Sequence, residues 1–101
     1  MTFSVKLHPD ARRDRDRVVL WFGENHPEHI APFLDDFYAT ARFVGENPML
    51  RAQVRPNVRH ESLRKYRYHL WFRVFEELEL VEVFAVLHHS RDPRELDRRL
   101  T

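Results

Sequence analysis

Tyr66-Arg67-Tyr68-His69-Leu70-Trp71-Phe72-Arg73-Val74-Phe75 is the stretch on which the fold turns. In an extended chain successive side chains point to opposite faces. Tyr66, Tyr68, Leu70, Phe72 and Val74 then share one face, and Arg67, His69, Trp71, Arg73 and Phe75 share the other. The pattern predicts a strand with its greasy face covered and its cationic, indole-bearing face left open. Glu76-Glu77 makes the next turn, without a strong hairpin signal such as Asn-Gly. Leu78 to Leu87 is apolar on both faces through Val81, Val83, Phe84, Ala85, Val86 and Leu87, which marks a central strand. Val58 to Leu63 reads as a further short strand, after a loop over 49–58.

Outward from this core, Phe3 to Leu7 alternates apolar and polar and predicts a first strand. His8-Pro9-Asp10 starts a helix, with Pro9 at its first position, and Gly23 reads as its stop near Phe22. Within it Ala11, Val18, Leu20, Trp21 and Phe22 can pack, whereas the Arg/Asp alternation over 12–17 reads as a solvated face. Asn25-His26-Pro27 opens a second helix. Ile30, Phe33, Leu34, Phe37, Tyr38, Ala41 and Val44 form its apolar stripe. Pro32 either kinks that helix or marks where its regular part begins. Gly45-Glu46-Asn47-Pro48 ends it. Pro93 to Leu100 is a short tail helix with Leu96 and Leu100 at i, i+4 and Asp92 as its N-cap. The expectation is an α+β domain over 1–101. It has an N-terminal strand, an α-helical hairpin on one face of a small, mostly antiparallel sheet, and a short C-terminal helix.

The 101 residues are 43% hydrophobic and 33% charged, which suits one soluble domain. Without cysteine, disulfides, thiolate metal sites and cysteine nucleophiles are excluded. No apolar run approaches the roughly 20 residues of a membrane span, and the first residues lack a signal-peptide core, so a cytoplasmic protein is expected. The net charge of +1 conceals segregation: residues 24–50 carry −4, residues 51–73 carry +6 and residues 74–82 carry −4. Fifteen of the seventeen basic residues are arginine, whose planar fork suits phosphate and carboxylate partners. The charge asymmetry suggests an anionic partner for the middle segment; the alternative is that these charges only solubilise a surface.

Arg67, His69, Trp71 and Arg73 are the leading candidates, because guanidinium, imidazole and indole can pair with phosphates, stack on bases or meet acidic side chains. Seven histidines raise the question of a metal, but His88 and His89 are adjacent and point apart, and no His-Glu-x-x-His spacing exists. No metal or other cofactor is expected. One of the pair is expected to bond to the loop or tail helix, with general acid/base work open to it. Ser4, Ser62 and Ser90 have no nucleophile motif around them. With only Gly23 and Gly45, no glycine-rich phosphate loop is available.

The pattern as a whole resembles the RelE/ParE superfamily of bacterial type II toxin–antitoxin toxins, often labelled plasmid stabilisation proteins. The resemblance runs through His8-Pro9-Asp10-Ala11, Asn25-His26-Pro27-Glu28, Glu46-Asn47-Pro48, Tyr68 to Val74, Val81 to His88 and Arg91-Asp92-Pro93. It implies a toxin neutralised by a co-encoded antitoxin whose C-terminal segment wraps it. RelE-like members cleave mRNA on the ribosome with side chains of the sheet face; ParE-like members inhibit DNA gyrase. His69 stands where RelE-like nucleases hold arginine, and histidine is cationic only when protonated. The ending at His88 to Pro93 also resembles ParE-type members. The resemblance therefore implies a gyrase inhibitor. The alternatives are a nuclease using His69, Arg73, Arg67, His88 and His89, or an inactive remnant that only binds antitoxin. Arg59, Arg64, Arg67, Trp71, Arg73 and Arg91 form the expected surface for target or antitoxin.

Overall fold

A computed structural model describes residues 2–100; Met1 and Thr101, the ends of the expected domain, lie outside the described residues. In chain order come β1 (Ser4–Leu7), α1 (Pro9–Asn25), α2 (Ile30–Glu46), β2 (Arg59–Ser62), β3 (Tyr68–Phe75), β4 (Leu80–His88) and α3 (Glu95–Leu100). The sheet order is β1-β4-β3-β2. β1 runs parallel to β4, and the other pairings are antiparallel. The expected order and helical hairpin are present.

Pro9 begins α1, and the His8 ring caps it by accepting the Asp10 N–H at 3.0 Å. Gly23 does not stop this helix, which continues to Asn25. Pro27 stops it, because a proline pushes the preceding residue out of helical geometry; His26 sits at φ −149° and ψ 72°. The buried stripe of α1 is Ala11, Asp14, Val18 and Phe22. Leu20 and Trp21 fall outside it and stay 64% and 53% exposed, against expectation. Asp14, read as part of a solvated face, is buried. Its carboxylate accepts from the Val86 N–H at 2.8 Å and from two Arg99 nitrogens at 2.6 and 2.9 Å.

Pro32 lies in the first turn of α2, where no intrahelical donor is required, and the helix is continuous through it. Phe33, Phe37, Ala41 and Val44 are buried, whereas Tyr38 stays exposed and accepts from Arg15 at 2.8 Å. They pack on Leu70, Phe72, Val74, Val81, Val83 and Val86. The greasy face of β3 is therefore the one under the hairpin. The expectation that Tyr66 opens the strand is corrected by two residues, since β3 starts at Tyr68.

β4 is apolar throughout for a local reason. Its register with β3 passes from Trp71↔Ala85 to Phe72↔Val83, leaving Phe84 as an extra residue. Such a bulge reverses the alternation. Val81, Val83 and Val86 serve the core under the hairpin, and Phe84, Ala85 and Leu87 serve a second cluster with Val58 and Leu96. The opposite face is thus not open, as expected, but partly covered by α3. No described helix is long and apolar enough to cross a membrane.

Candidate functional site

On that second face, register brings three imidazoles together. β2 pairs with β3 so that His60 lies opposite Trp71 and Ser62 opposite His69. The chain leaving β4 is tied back by the His89 N–H, which donates to the Arg67 carbonyl at 2.9 Å. His69 then stacks on His89 at 4.0 Å between ring centroids and meets His60 at 4.5 Å; Trp71 closes on His60 at 4.6 Å. A cleft of about 220 Å³ opens beside them, lined also by Arg91 and Pro93. Ser62 Oγ lies 3.0 Å from His69 Nδ1, which fixes that ring, while His60 Nδ1 is buried without a partner among the described residues.

Packed in this way, the rings of His60 and His69 favour their neutral forms. Burial, with the neighbouring His60 and His89, lowers the His69 pKa to about 4. Burial also lowers that of His60, against an opposing pull from Glu61. At neutral pH His60 and His69 offer flat ring faces and nitrogen lone pairs, not standing positive charge. Among the described residues no three histidine or carboxylate side chains are arranged to share a metal ion.

The candidates from the sequence are divided rather than assembled. His69, His89, Trp71 and Arg91 share the cleft, with Arg91 also paired to Glu95. Arg91 thus pairs with Glu95 and not with the adjacent Asp92. Asp92 instead accepts from the Arg94 N–H at 2.9 Å, which serves the helix start as expected. Arg67 lines a different groove, beside Trp21 and Tyr68. His88 lines both that groove and the cleft, its Nδ1 2.8 Å from Ser90 Oγ, the structural role foreseen for one of the pair. Arg73 is not open to a ligand: it donates to Glu82 at 2.8 Å and lies 5.0 Å over the Phe84 ring. Arg59 donates to the Arg51 carbonyl, and Arg64 lines a third groove between α2 and β2.

Sequence reasoning missed His60 and Ser62. Alternation along the short strand expected at 58–63 puts both on one face, but only the pairing register places that face over His69. Trp21 was counted as core and proves to be surface.

A family model described as the ParE toxin of the type II toxin–antitoxin system, parDE, matches residues 5–93. The chain belongs to the ParE toxin family. Its fold is also similar to three solved structures at 19% identity. The chromosomal ParDE system of P. aeruginosa has a TM-score of 0.72, covering 86% of this chain and 96% of that one. The RelBE2 toxin–antitoxin complex of Mycobacterium tuberculosis has a TM-score of 0.58, covering 87% and 99%. The isolated E. coli RelE toxin has a TM-score of 0.55, covering 98% and 99%. No curated sequence matches. A ParE-family toxin thus carries, on the sheet face opposite its hairpin, a stack of imidazoles.

Proposed function

We propose that this ParE-family chain is held inactive by a co-encoded antitoxin and, when free, inhibits DNA gyrase without cutting RNA. The antitoxin reading is supported by two of the structural relatives, which are toxin–antitoxin systems. The observation that carries the choice of target is the His69 environment. Transition states of phosphoryl transfer gather negative charge, which fixed cations stabilise. Here the central group is an imidazole held near pKa 4, Arg73 is engaged by Glu82, and Arg67 faces another groove.

The test is expression of the chain alone in bacteria, with gyrase supercoiling followed in vitro. The expected result is growth arrest with intact mRNA, an induced DNA-damage response and lost supercoiling, all retained in His69→Ala. Ribosome-dependent mRNA cuts that vanish in His69→Ala would overturn it. That outcome is the second reading, a nuclease, and one observation favours it. Three imidazoles, Ser62 and Arg91 converge beside a single cleft, as acid–base chemistry on RNA requires.

A further inference from the structure

The two ends of the β3–β4 hairpin are chemically complementary. At one end a groove of about 460 Å³ lies between α1 and the sheet. Trp21, Tyr66, Tyr68 and His88 make its walls and Lys65 and Arg67 its rim. The rings are held in place by their neighbours. Tyr66 and Tyr68 stand against Phe33 at 5.7 and 5.6 Å, and the Tyr66 hydroxyl meets His29 Nδ1 at 2.8 Å. Lys65 and Arg67 make no ion pair among the described residues. The groove continues past Trp21 toward Arg17 and Arg91. The one carboxylate there, Asp14, is buried against Arg99, and Arg17 reaches it only at 3.8 Å, with its side chain otherwise in solvent.

At the other end Glu76-Glu77-Leu78-Glu79 forms a single 3-10 turn closed by Glu79 at φ 48°. The turn thrusts Leu78 into solvent, 70% exposed, among three exposed glutamates. None of those carboxylates makes an ion pair among the described residues. An apolar anchor ringed by carboxylates is what an aromatic groove rimmed by cations accepts. Eight residues of β3 separate the two, about 26 Å at strand rise, so a chain cannot fill its own groove.

We propose that the groove at Trp21 receives the Glu76–Glu79 turn of a second copy of this chain. Leu78 seats against Trp21 and Tyr68, and Lys65, Arg67 and Arg17 pair with the glutamates. The contact is head to tail, so each copy keeps one free groove and one free turn, and association continues into longer species. Nucleic acid is the less favoured occupant. Stacking needs a row of open ring faces, and only Trp21 is more than half exposed, Tyr66 and Tyr68 being partly buried.

Two exposed substitutions test this by sedimentation of the full chain at rising concentration. Trp21→Ala removes the groove and Leu78→Ser removes the anchor, and circular dichroism verifies the fold of each. Wild-type chain is expected to form dimers and longer species that dissociate as salt rises. Each variant alone is expected to associate at least tenfold more weakly. Mixed together, the variants are expected to give a one-to-one dimer and nothing larger, because only one intact groove and one intact turn remain. Wild-type chain that stays monomeric, association that survives in both variants, or a mixture no tighter than its parts overturns the proposal. So does a groove that binds oligonucleotide or antitoxin through Trp21 while the wild type remains monomeric.

Discussion

The two faces of the sheet are built from the same strands and differ in almost every other respect. Under the hairpin, Phe33, Phe37, Leu70 and Phe72 are sealed by two seventeen-residue helices. On the other side a six-residue helix packs with Phe84, Ala85, Leu87, Val58 and the partly buried Trp71, and beside it lie the imidazoles and the Arg73–Glu82 pair. The first face is a closed apolar core. The second is a compromise between burial and access, and that is where ligand chemistry can reside. The bulge at Phe84 lets one strand supply both, since it switches which residues face which layer.

The largest expected effect comes from breaking the first face. Phe33 is fully buried and touches the rings of Phe22, Phe37, Tyr66 and Tyr68. Phe33→Ala should cost about 3–5 kcal/mol, a large fraction of the stability of a domain this size. Urea unfolding would show it as a lowered midpoint, and a shift below about 1 kcal/mol would mean that the hairpin is not packed as described. Next comes the tie between the faces. Asp14 joins α1, β4 and α3, and Asp14→Ala strands a largely covered Arg99 guanidinium and the buried Val86 N–H, at about 3 kcal/mol. Arg99→Ala in the same background should add little, because the partner is already gone; additive losses would refute the coupling.

How much of this was readable in the residues differs between the faces in the same way. The β3 alternation places Leu70, Phe72 and Val74 under the helices correctly, because burial of one face is enforced by period-2 geometry alone. The stripe of α2 is legible for the same reason. Asp14 is not, because a carboxylate among arginines reads as solvent-facing until a distant Arg99 and an unpaired Val86 N–H are brought to it. The imidazole stack needs the register of β2 against β3, the bulge in β4 and the path of the chain after it. None of these has a periodic signature. Arg67 and Arg73 share the parity of His69 yet not its surroundings: Arg67 precedes the first residue of β3, and Arg73 lies beyond the bulge, paired to Glu82.

The two glycines sharpen the contrast at smaller scale. Gly45 was read as a helix end, but its role is close approach. A Cβ there would lie 2.7 Å from Val5 Cγ2 and 2.9 Å from the Phe3 carbonyl, and that backbone is tied to Gly45 by a 2.8 Å hydrogen bond. Gly45→Ala should therefore cost about 1–3 kcal/mol by pushing β1 off α2. At Gly23 a Cβ meets only Ile30 Cδ1, at 3.6 Å. Gly23→Ala should raise stability by up to about 1 kcal/mol through helix propensity. Thermal melts of the pair should move in opposite directions, and movement the same way would place one of the helices wrongly.

The smallest expected effect bears most on function. His69 titrates at about 4 in the folded chain, whereas an unfolded imidazole titrates near 6.5. Between those values the unfolded chain takes up a proton that the folded chain refuses. Stability contributed by the neutral His69 ring is thus complete above about pH 7, declines as pH falls through 6.5 toward 4, and levels off below. His60, shifted the same way, adds to the slope. Because the ring is partly open to water, the loss should be on the order of 1 kcal/mol. Urea midpoints at about pH 7.5 and pH 5 should separate less in His69→Phe than in the wild type, other carboxylate effects being common to both. Equal separations would mean that the ring is hydrated and titrates normally. His69 would then be partly cationic near neutrality and able to stabilise the charge that RNA cleavage develops.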